Sequence, residues 1–163
     1  FVGSTPIAKV VYARATATGK RALALGGAKN HFLVLPDADP EITVDGVVRS
    51  FTGCAGQRCM AASLMIAVGD VDHLIEKIAK HTASLELGVD MGAIIEKSAY
   101  ERIRTDMQRA VDEGARLIVD GRTTKAPAGY ESGYWLAPSI LDGATPAMEC
   151  ARRPRCRRVA RPS

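Results

Sequence analysis

The residue best suited to chemistry is Cys59, which lies in a stretch, 51–60, that also holds two glycines, an amide, a guanidinium and a second thiol. A cysteine thiolate is a strong nucleophile, and both Arg58 and a helix start after Cys59 would favour the thiolate form. An apolar run, 64–68, follows closely. The alternative interpretation is that Cys59 is a small buried hydrophobic residue, as most free cysteines are.

Two motifs resemble those of a known family. Gly-Gln-Arg-Cys-Met at 56–60 resembles the nucleophile signature of the aldehyde dehydrogenase superfamily. The Arg-Cys-Met form, together with Gly-Ala-Lys-Asn-His at 27–31, is similar to the methylmalonate-semialdehyde dehydrogenases, which are coenzyme A-acylating members of that superfamily. The resemblance runs from Phe1 to about Glu149 and so covers nearly all of the chain.

The resemblance implies roles for five residues. Cys59 would be the catalytic nucleophile in the NAD-dependent oxidation of a small-molecule aldehyde, and would carry the acyl group as a thioester. Gly3, Ser4 and Gly26 would contact the cofactor NAD. Arg58 would bind the carboxylate of the substrate; the alternative is a surface arginine that only favours the thiolate.

Members of the superfamily differ in how the acyl group is released from the thioester. Hydrolytic members activate water with a glutamate in a Glu-Leu-Gly-Gly motif, and Ala24 stands in the matching position here, 35 residues before Cys59. Alanine cannot accept a proton, so transfer to coenzyme A as co-substrate is predicted. The implied products are propionyl- or acetyl-coenzyme A and carbon dioxide, from methylmalonate or malonate semialdehyde, in valine and inositol catabolism. The alternatives are a hydrolytic aldehyde dehydrogenase and a non-catalytic binding module with a basic tail.

Strands that alternate with helices must position these residues. Strands are predicted at 21–25, 31–35, 64–68, 117–119 and 134–140. Helices are predicted to begin at Ser4 or Thr5, at Asp37 or Asp39, at Asp70 or Asp72, and at a capping box, 98–101. This alternation predicts an α/β fold with an open, largely parallel sheet and flanking helices. By resemblance, 1–30 would end an NAD-binding domain, 31–149 would form a partial catalytic domain, and 150–163 would be an aberrant arginine-rich tail.

The charge of the chain is concentrated at one end. The net charge is +4, but residues 151–163 hold six arginines and no acid, and the remaining residues carry 16 basic and 18 acidic side chains. The body of the protein therefore gives no support for a nucleic-acid partner. The tail is interpreted as the product of a shifted reading frame; a real basic arm that binds nucleic acid or anionic lipid is the alternative.

The cysteines and histidines predict no metal site. The four cysteines form no CxxC pair, and no histidine lies at metal-ligand spacing. We interpret the thiols as reduced and the protein as cytoplasmic. Cys54 is expected to be structural, with a risk of disulfide formation on oxidation, and His31 to be a hydrogen-bonded structural histidine. No signal peptide is predicted, and no apolar run approaches the ~20 residues of a membrane span, so no membrane partner is predicted.

The chain opens in mid-strand without an initiator methionine, so it is interpreted as an internal piece of a longer enzyme. The resemblance implies a homo-oligomeric parent enzyme. The oxyanion asparagine and the ribose-binding glutamate of the superfamily have no counterpart in these 163 residues. Little activity is therefore expected from this chain alone.

Overall fold

The computed structural model describes residues 1–152 and 158–160, and the predicted α/β class is confirmed. The helices are α1 (Thr5–Ala17), α2 (Pro40–Thr52), α3 (Asp72–Ala83), α4 (Lys97–Asp112) and the single turn α5 (Glu149–Arg152). The strands are β1 (Asn30–Val34), β2 (Ala62–Ala67), β3 (Arg116–Val119), β4 (Ile140–Asp142) and β5 (Arg158–Ala160).

The main sheet is parallel, as predicted. Its strand order is β1-β2-β5, and both pairings run parallel. A register irregularity separates Asn30 from His31, at the start of β1. The strands β3 and β4 form a separate antiparallel pair. The carboxyl-terminal residues of α2 lead, through a short loop, into the beginning of β2, and this loop contains Cys59.

The core of the main sheet lies against α2 and α3. Val34 and Met65 of the strands pack with Val48 of α2 and with Leu74 and Ile78 of α3, and the last two are 0% and 1% exposed. Such complete burial of large apolar side chains provides most of the stability of a small sheet. The packing therefore fixes α2 relative to β2 and, with them, the loop between the two.

Helix α2 begins where the cap and proline signals predict. The Asp39 carboxylate accepts a hydrogen bond from the Ile42 N–H at 2.9 Å, and Pro40 occupies the first helical position, where no N–H is needed. The predicted capping box at 98–101 is wrong. Helix α4 already begins at Lys97, and the Ser98 hydroxyl donates to the side chain of Glu96 instead of capping the backbone.

Two predicted strands are not formed as expected. In place of a strand at 21–25 there is one parallel bridge between Val2 and Leu25. Among the described residues, the short segment around Val2 is the only one that pairs with 21–25, so no longer ladder forms. The segment 134–140 makes one antiparallel bridge, from Tyr134 to Ile94, and β4 begins only at Ile140. Pro138 has no N–H to donate to a strand ladder, which accounts for the irregular segment before β4.

The arginine-rich tail is only partly described. Residues 158–160 form β5 beside β2, whereas 153–157 and 161–163, which include Cys156, lie outside the described residues. The nature of the tail therefore stays a prediction. Within the described ranges, none of the helices has the length and apolar character needed to cross a bilayer.

Candidate active site

The loop that carries the nucleophile begins with a turn of unusual handedness. After α2, the backbone of Cys54 and Ala55 has φ values of 53° and 50°, and Gly56 has a φ of 62°. The Gln57 N–H closes the turn by donating to the Cys54 carbonyl at 2.9 Å. A left-handed conformation costs a non-glycine residue about 1–2 kcal/mol, and such strain is concentrated at functional sites.

The Gln57 side chain ties this loop to the segment that precedes α4. Its Nε2 donates to the carbonyls of Cys54 and Ala93, at 3.1 and 3.2 Å, and its Oε1 accepts from the Ile95 N–H at 3.0 Å. One amide therefore satisfies groups on two segments that are 36 residues apart. The sequence motif identified Gln57, but it gave no indication of its partner segment.

Arg58 lies against the end of α2. Its Nη2 donates to the carbonyls of Arg49 and Ser50, at 2.8 and 3.3 Å. These carbonyls belong to the last turn of the helix, and that of Arg49 also accepts from the Gly53 N–H. Gly53 makes this approach possible, since a Cβ atom there would lie 2.2 Å from Arg58 Nη2. One nitrogen of the guanidinium, Nη2, therefore has a structural role at the end of α2.

Cys59 is exposed and lines a cavity of about 530 Å³. The interpretation as a buried hydrophobic residue is therefore wrong. The expected helix start after Cys59 is also wrong, because the chain enters β2 at Ala62. Asn30 donates from Nδ2 to the carbonyls of Cys59 and Ala61, at 2.7 and 3.2 Å. In the described part of the chain, the Cys59 N–H has no hydrogen-bond partner.

The cavity brings together segments that are far apart in the chain. Its lining residues come from 2–3, 26–30, 55–63, 91–107 and 136–141. Among these described lining residues, the titratable side chains are Arg58, Cys59 and Arg102, and no carboxylate or imidazole is present. Ala24 is half-buried and does not line the cavity, whereas Ala28 does. The cavity therefore carries positive charge beside the thiol and offers it no general base.

Arg102 is a site residue that the sequence did not reveal. It lies on α4, lines the cavity and is half-buried, and its guanidinium has no hydrogen bond or ion pair with another described residue. A partly desolvated guanidinium without an acidic partner favours an anionic ligand. Its position beside the predicted inward-facing Ile103 is the one signal that could have identified it.

The residues predicted to contact a cofactor lie at or near the same cavity. Gly3 and Gly26 line it, and Ser4 is the N-cap residue of α1. A Cβ atom at Gly26 would lie 2.6 Å from Thr5 Oγ1, and the Gly27 N–H donates to that oxygen at 3.1 Å. These contacts hold the glycine segment against the start of α1, whose free N–H groups suit a phosphate group, so the residues present fit a dinucleotide.

The other predicted residues lie outside this arrangement. Cys54 is exposed and does not line the cavity. The expectation for His31 is wrong, since its side chain is exposed and makes no hydrogen bond with the described residues. Within those residues, no group of three or more His, Cys, Asp or Glu side chains is placed to hold a metal ion.

Comparison with known proteins identifies the relatives of this chain. The sequence is 47% identical over 156 residues to an acylating, mitochondrial methylmalonate-semialdehyde dehydrogenase of Arabidopsis thaliana, covering 92% of this chain and 26% of the relative. It is 42% identical over 156 residues to a malonate-semialdehyde dehydrogenase of Pseudomonas aeruginosa, covering 91% of this chain and 31% of the relative. The chain thus spans about a quarter to a third of the length of these curated relatives.

Solved structures agree with this relationship. A Sinorhizobium meliloti protein described as a methylmalonate-semialdehyde dehydrogenase, in complex with NAD, superposes with a TM-score of 0.93 at 39% identity, covering 99% of this chain and 35% of that chain. A methylmalonate-semialdehyde dehydrogenase of Oceanimonas doudoroffii gives a TM-score of 0.91 at 38% identity, with 99% and 35% covered. The model of the aldehyde dehydrogenase family matches residues 1–156. The chain belongs to the aldehyde dehydrogenase family.

Proposed function

We propose that this chain supplies the nucleophile of a coenzyme A-acylating, NAD-dependent oxidation of malonate or methylmalonate semialdehyde, with loss of carbon dioxide. The observation that carries the proposal is the position of Cys59. It is exposed on a cavity whose described lining residues include two arginines and no carboxylate or imidazole. The names of the relatives, acylating in the case of the Arabidopsis protein, support the same chemistry.

Cys59 performs the covalent steps. Its thiolate adds to the aldehyde carbon, and the resulting oxyanion needs a preorganised donor. The Cys59 N–H, which has no partner among the described residues, is available for this. After the hydride has left this carbon, Cys59 carries a malonyl or methylmalonyl group as a thioester. The bond between the α-carbon and the carboxylate then breaks, carbon dioxide leaves, and the α-carbon takes a proton from solvent, so that an acetyl or propionyl group stays on Cys59. When the thiolate of coenzyme A attacks the thioester carbonyl, the Cys59 thiolate leaves and is ready for the next turnover.

Gly3, Ser4 and Gly26 are the residues proposed to hold the cofactor. NAD, when bound, supplies the acceptor for the hydride. The absence of a Cβ at Gly26 lets this segment pack closely against Thr5 at the start of α1, and the start of α1 offers free N–H groups.

Arg58 and Arg102 are proposed to bind the carboxylate of the semialdehyde. Arg58 retains donors that the described contacts do not use, since only its Nη2 is hydrogen-bonded. Arg102 has no partner among the described residues and lines the same cavity. Two cations without a compensating acid among the described lining residues raise the local concentration of an anionic aldehyde.

The role of the two arginines is tested with a charged and a neutral alkylating agent. In Arg58→Gln and Arg102→Gln, we expect the ratio of the iodoacetate rate to the iodoacetamide rate at Cys59 to fall about fivefold each, which corresponds to about 1 kcal/mol of charge attraction. Peptide mass mapping gives both rates. Arg14→Gln is the control, since it removes the same charge from an exposed site on α1. An unchanged ratio in both variants would contradict the proposed binding of the carboxylate.

The proposed function is tested by the fate of an acyl group on Cys59. The 163-residue chain is treated with p-nitrophenyl propionate, and the propionyl adduct at Cys59 is followed by mass spectrometry. Coenzyme A is expected to remove the adduct about tenfold or more faster than buffer alone, because its thiol needs no general base at the site. Desulfo-coenzyme A, which lacks the thiol, is the control. Equal loss with and without coenzyme A would favour the hydrolytic alternative.

The domain organisation is also a proposal. We assign residues 1–30 to the end of an NAD-binding domain and 31–149 to a catalytic domain, because the proposed cofactor residues Gly3, Ser4 and Gly26 all precede β1. A homo-oligomeric, cytoplasmic enzyme stays part of the proposal.

A further inference from the structure

One member of the Gly-Ala-Lys-Asn-His motif at 27–31 reaches the nucleophile directly. Asn30, the first residue of β1, donates from Nδ2 to the carbonyl of Cys59 at 2.7 Å and to that of Ala61 at 3.2 Å. Both distances are within hydrogen-bonding range, and the first is at the short end for an amide donor. Asn30 also pairs with Ala62 at the register irregularity of β1 and β2. The side chain therefore joins the start of the sheet to the nucleophile loop.

The peptide groups on both sides of Cys59 are held by these contacts. On the amino side, the Arg58 carbonyl accepts from the Ala61 N–H at 3.2 Å. On the carboxyl side, the Cys59 carbonyl accepts from Asn30. The Cys59 N–H belongs to the first of these peptide groups, the one that contains the Arg58 carbonyl, and it has no partner in the described part of the chain. A donor that is fixed before the reaction stabilises an oxyanion without the cost of reorientation.

We propose that Asn30 is a positioning residue for Cys59, whose carboxamide holds the backbone of the nucleophile so that the Cys59 N–H is preorganised for the oxyanion. The inference rests on the proposed function, because it takes Cys59 as the nucleophile. Asn30 itself does not react, and the sulfur does not need it for simple displacement. Loss of Asn30 therefore slows reactions that pass through an oxyanion and leaves direct alkylation of the sulfur unchanged.

The test compares two reagents on the 163-residue chain. p-Nitrophenyl propionate acylates Cys59 through a tetrahedral oxyanion, whereas iodoacetamide alkylates the sulfur without one. In Asn30→Ala, the acylation rate is expected to fall about tenfold, while the alkylation rate changes by less than about twofold. The expected loss is smaller than the ~10²-fold to 10³-fold caused by removal of an oxyanion donor, because Asn30 only positions that donor. His31→Ala is the matched control, since this neighbouring side chain is exposed, and both of its rates are expected to stay unchanged.

The possible outcomes separate this inference from the function on which it rests. Equal changes of both rates, or no change of either, would overturn the positioning role. If circular dichroism shows that Asn30→Ala does not fold, Asn30→Asp replaces it, because it keeps the size and donates no hydrogen at neutral pH. An unchanged ratio of acylation to alkylation in Asn30→Asp would likewise overturn the inference. Failure of the unaltered chain to be acylated at Cys59 would instead refute the proposed function, and the inference with it.

Discussion

Replacement of Cys59 by serine is expected to lower the acylation rate of the chain by about 10³-fold or more, since a serine hydroxyl without a neighbouring base is a very weak nucleophile at neutral pH. The described lining of the cavity supplies no carboxylate or imidazole that could activate it. The measurement is the rate at which p-nitrophenyl propionate adds a propionyl group to the chain, read from the intact mass. This is the largest effect that we expect from any single substitution.

Cys54→Ser is the matched control for this substitution. Cys54 is also exposed and lies in the same loop, but it does not line the cavity. Its replacement is expected to leave the acylation rate within about twofold, because its sulfur takes no part in the covalent step. Acylation that survives in Cys59→Ser and disappears in Cys54→Ser would show that Cys54, and not Cys59, is the nucleophile.

Introducing a carboxylate into the cavity is expected to convert acyl transfer into hydrolysis. Ala28 lines the cavity, and Ala28→Glu would place a general base on the wall that Cys59 shares. Because a positioned base contributes about 10²–10⁴-fold, even an imperfectly placed one is expected to shorten the lifetime of propionyl-Cys59 in buffer about tenfold. The lifetime is measured by mass spectrometry after excess ester has been removed.

Two further variants make this result specific. Ala28→Gln has the same size without the base and is expected to leave the lifetime unchanged. Ala24→Glu places the carboxylate at the position that the sequence motif suggests, where the side chain is half-buried and does not line the cavity. If glutamine and glutamate at position 28 accelerated the hydrolysis of propionyl-Cys59 equally, the lack of a general base would not be the reason for slow hydrolysis.

The elements that depend on local pattern could be predicted from the sequence. The strand expected at 31–35 is β1, at 30–34, and the strand expected at 64–68 is β2, at 62–67. Helix α2 begins after Asp39, where an acidic cap precedes a proline. These signals lie within a few residues of the structure that they specify. Cys59 and Arg58 were identified for a similar reason, because their motif is contiguous.

The long-range part of the site could not be predicted in this way. Asn30 and Cys59 are separated by 29 positions, and Gln57 and Ala93 by 36. Their contacts exist only because the sheet and α4 place distant segments side by side, and no local periodicity encodes that. Arg102 was missed for the same reason, since an arginine on a helix is normally a solvated surface residue.

The left-handed turn from Cys54 to Gly56 has a consequence for the motif as an isolated peptide. Of its three residues, only glycine adopts this mirror-image backbone freely, so Cys54 and Ala55 must be held there by the surrounding fold. A synthetic decapeptide with the sequence 51–60 would relax into ordinary right-handed or extended conformers. The peptide would keep the sequence of the motif but lose its conformation. The proposed catalytic role of the thiol therefore depends on the folded domain.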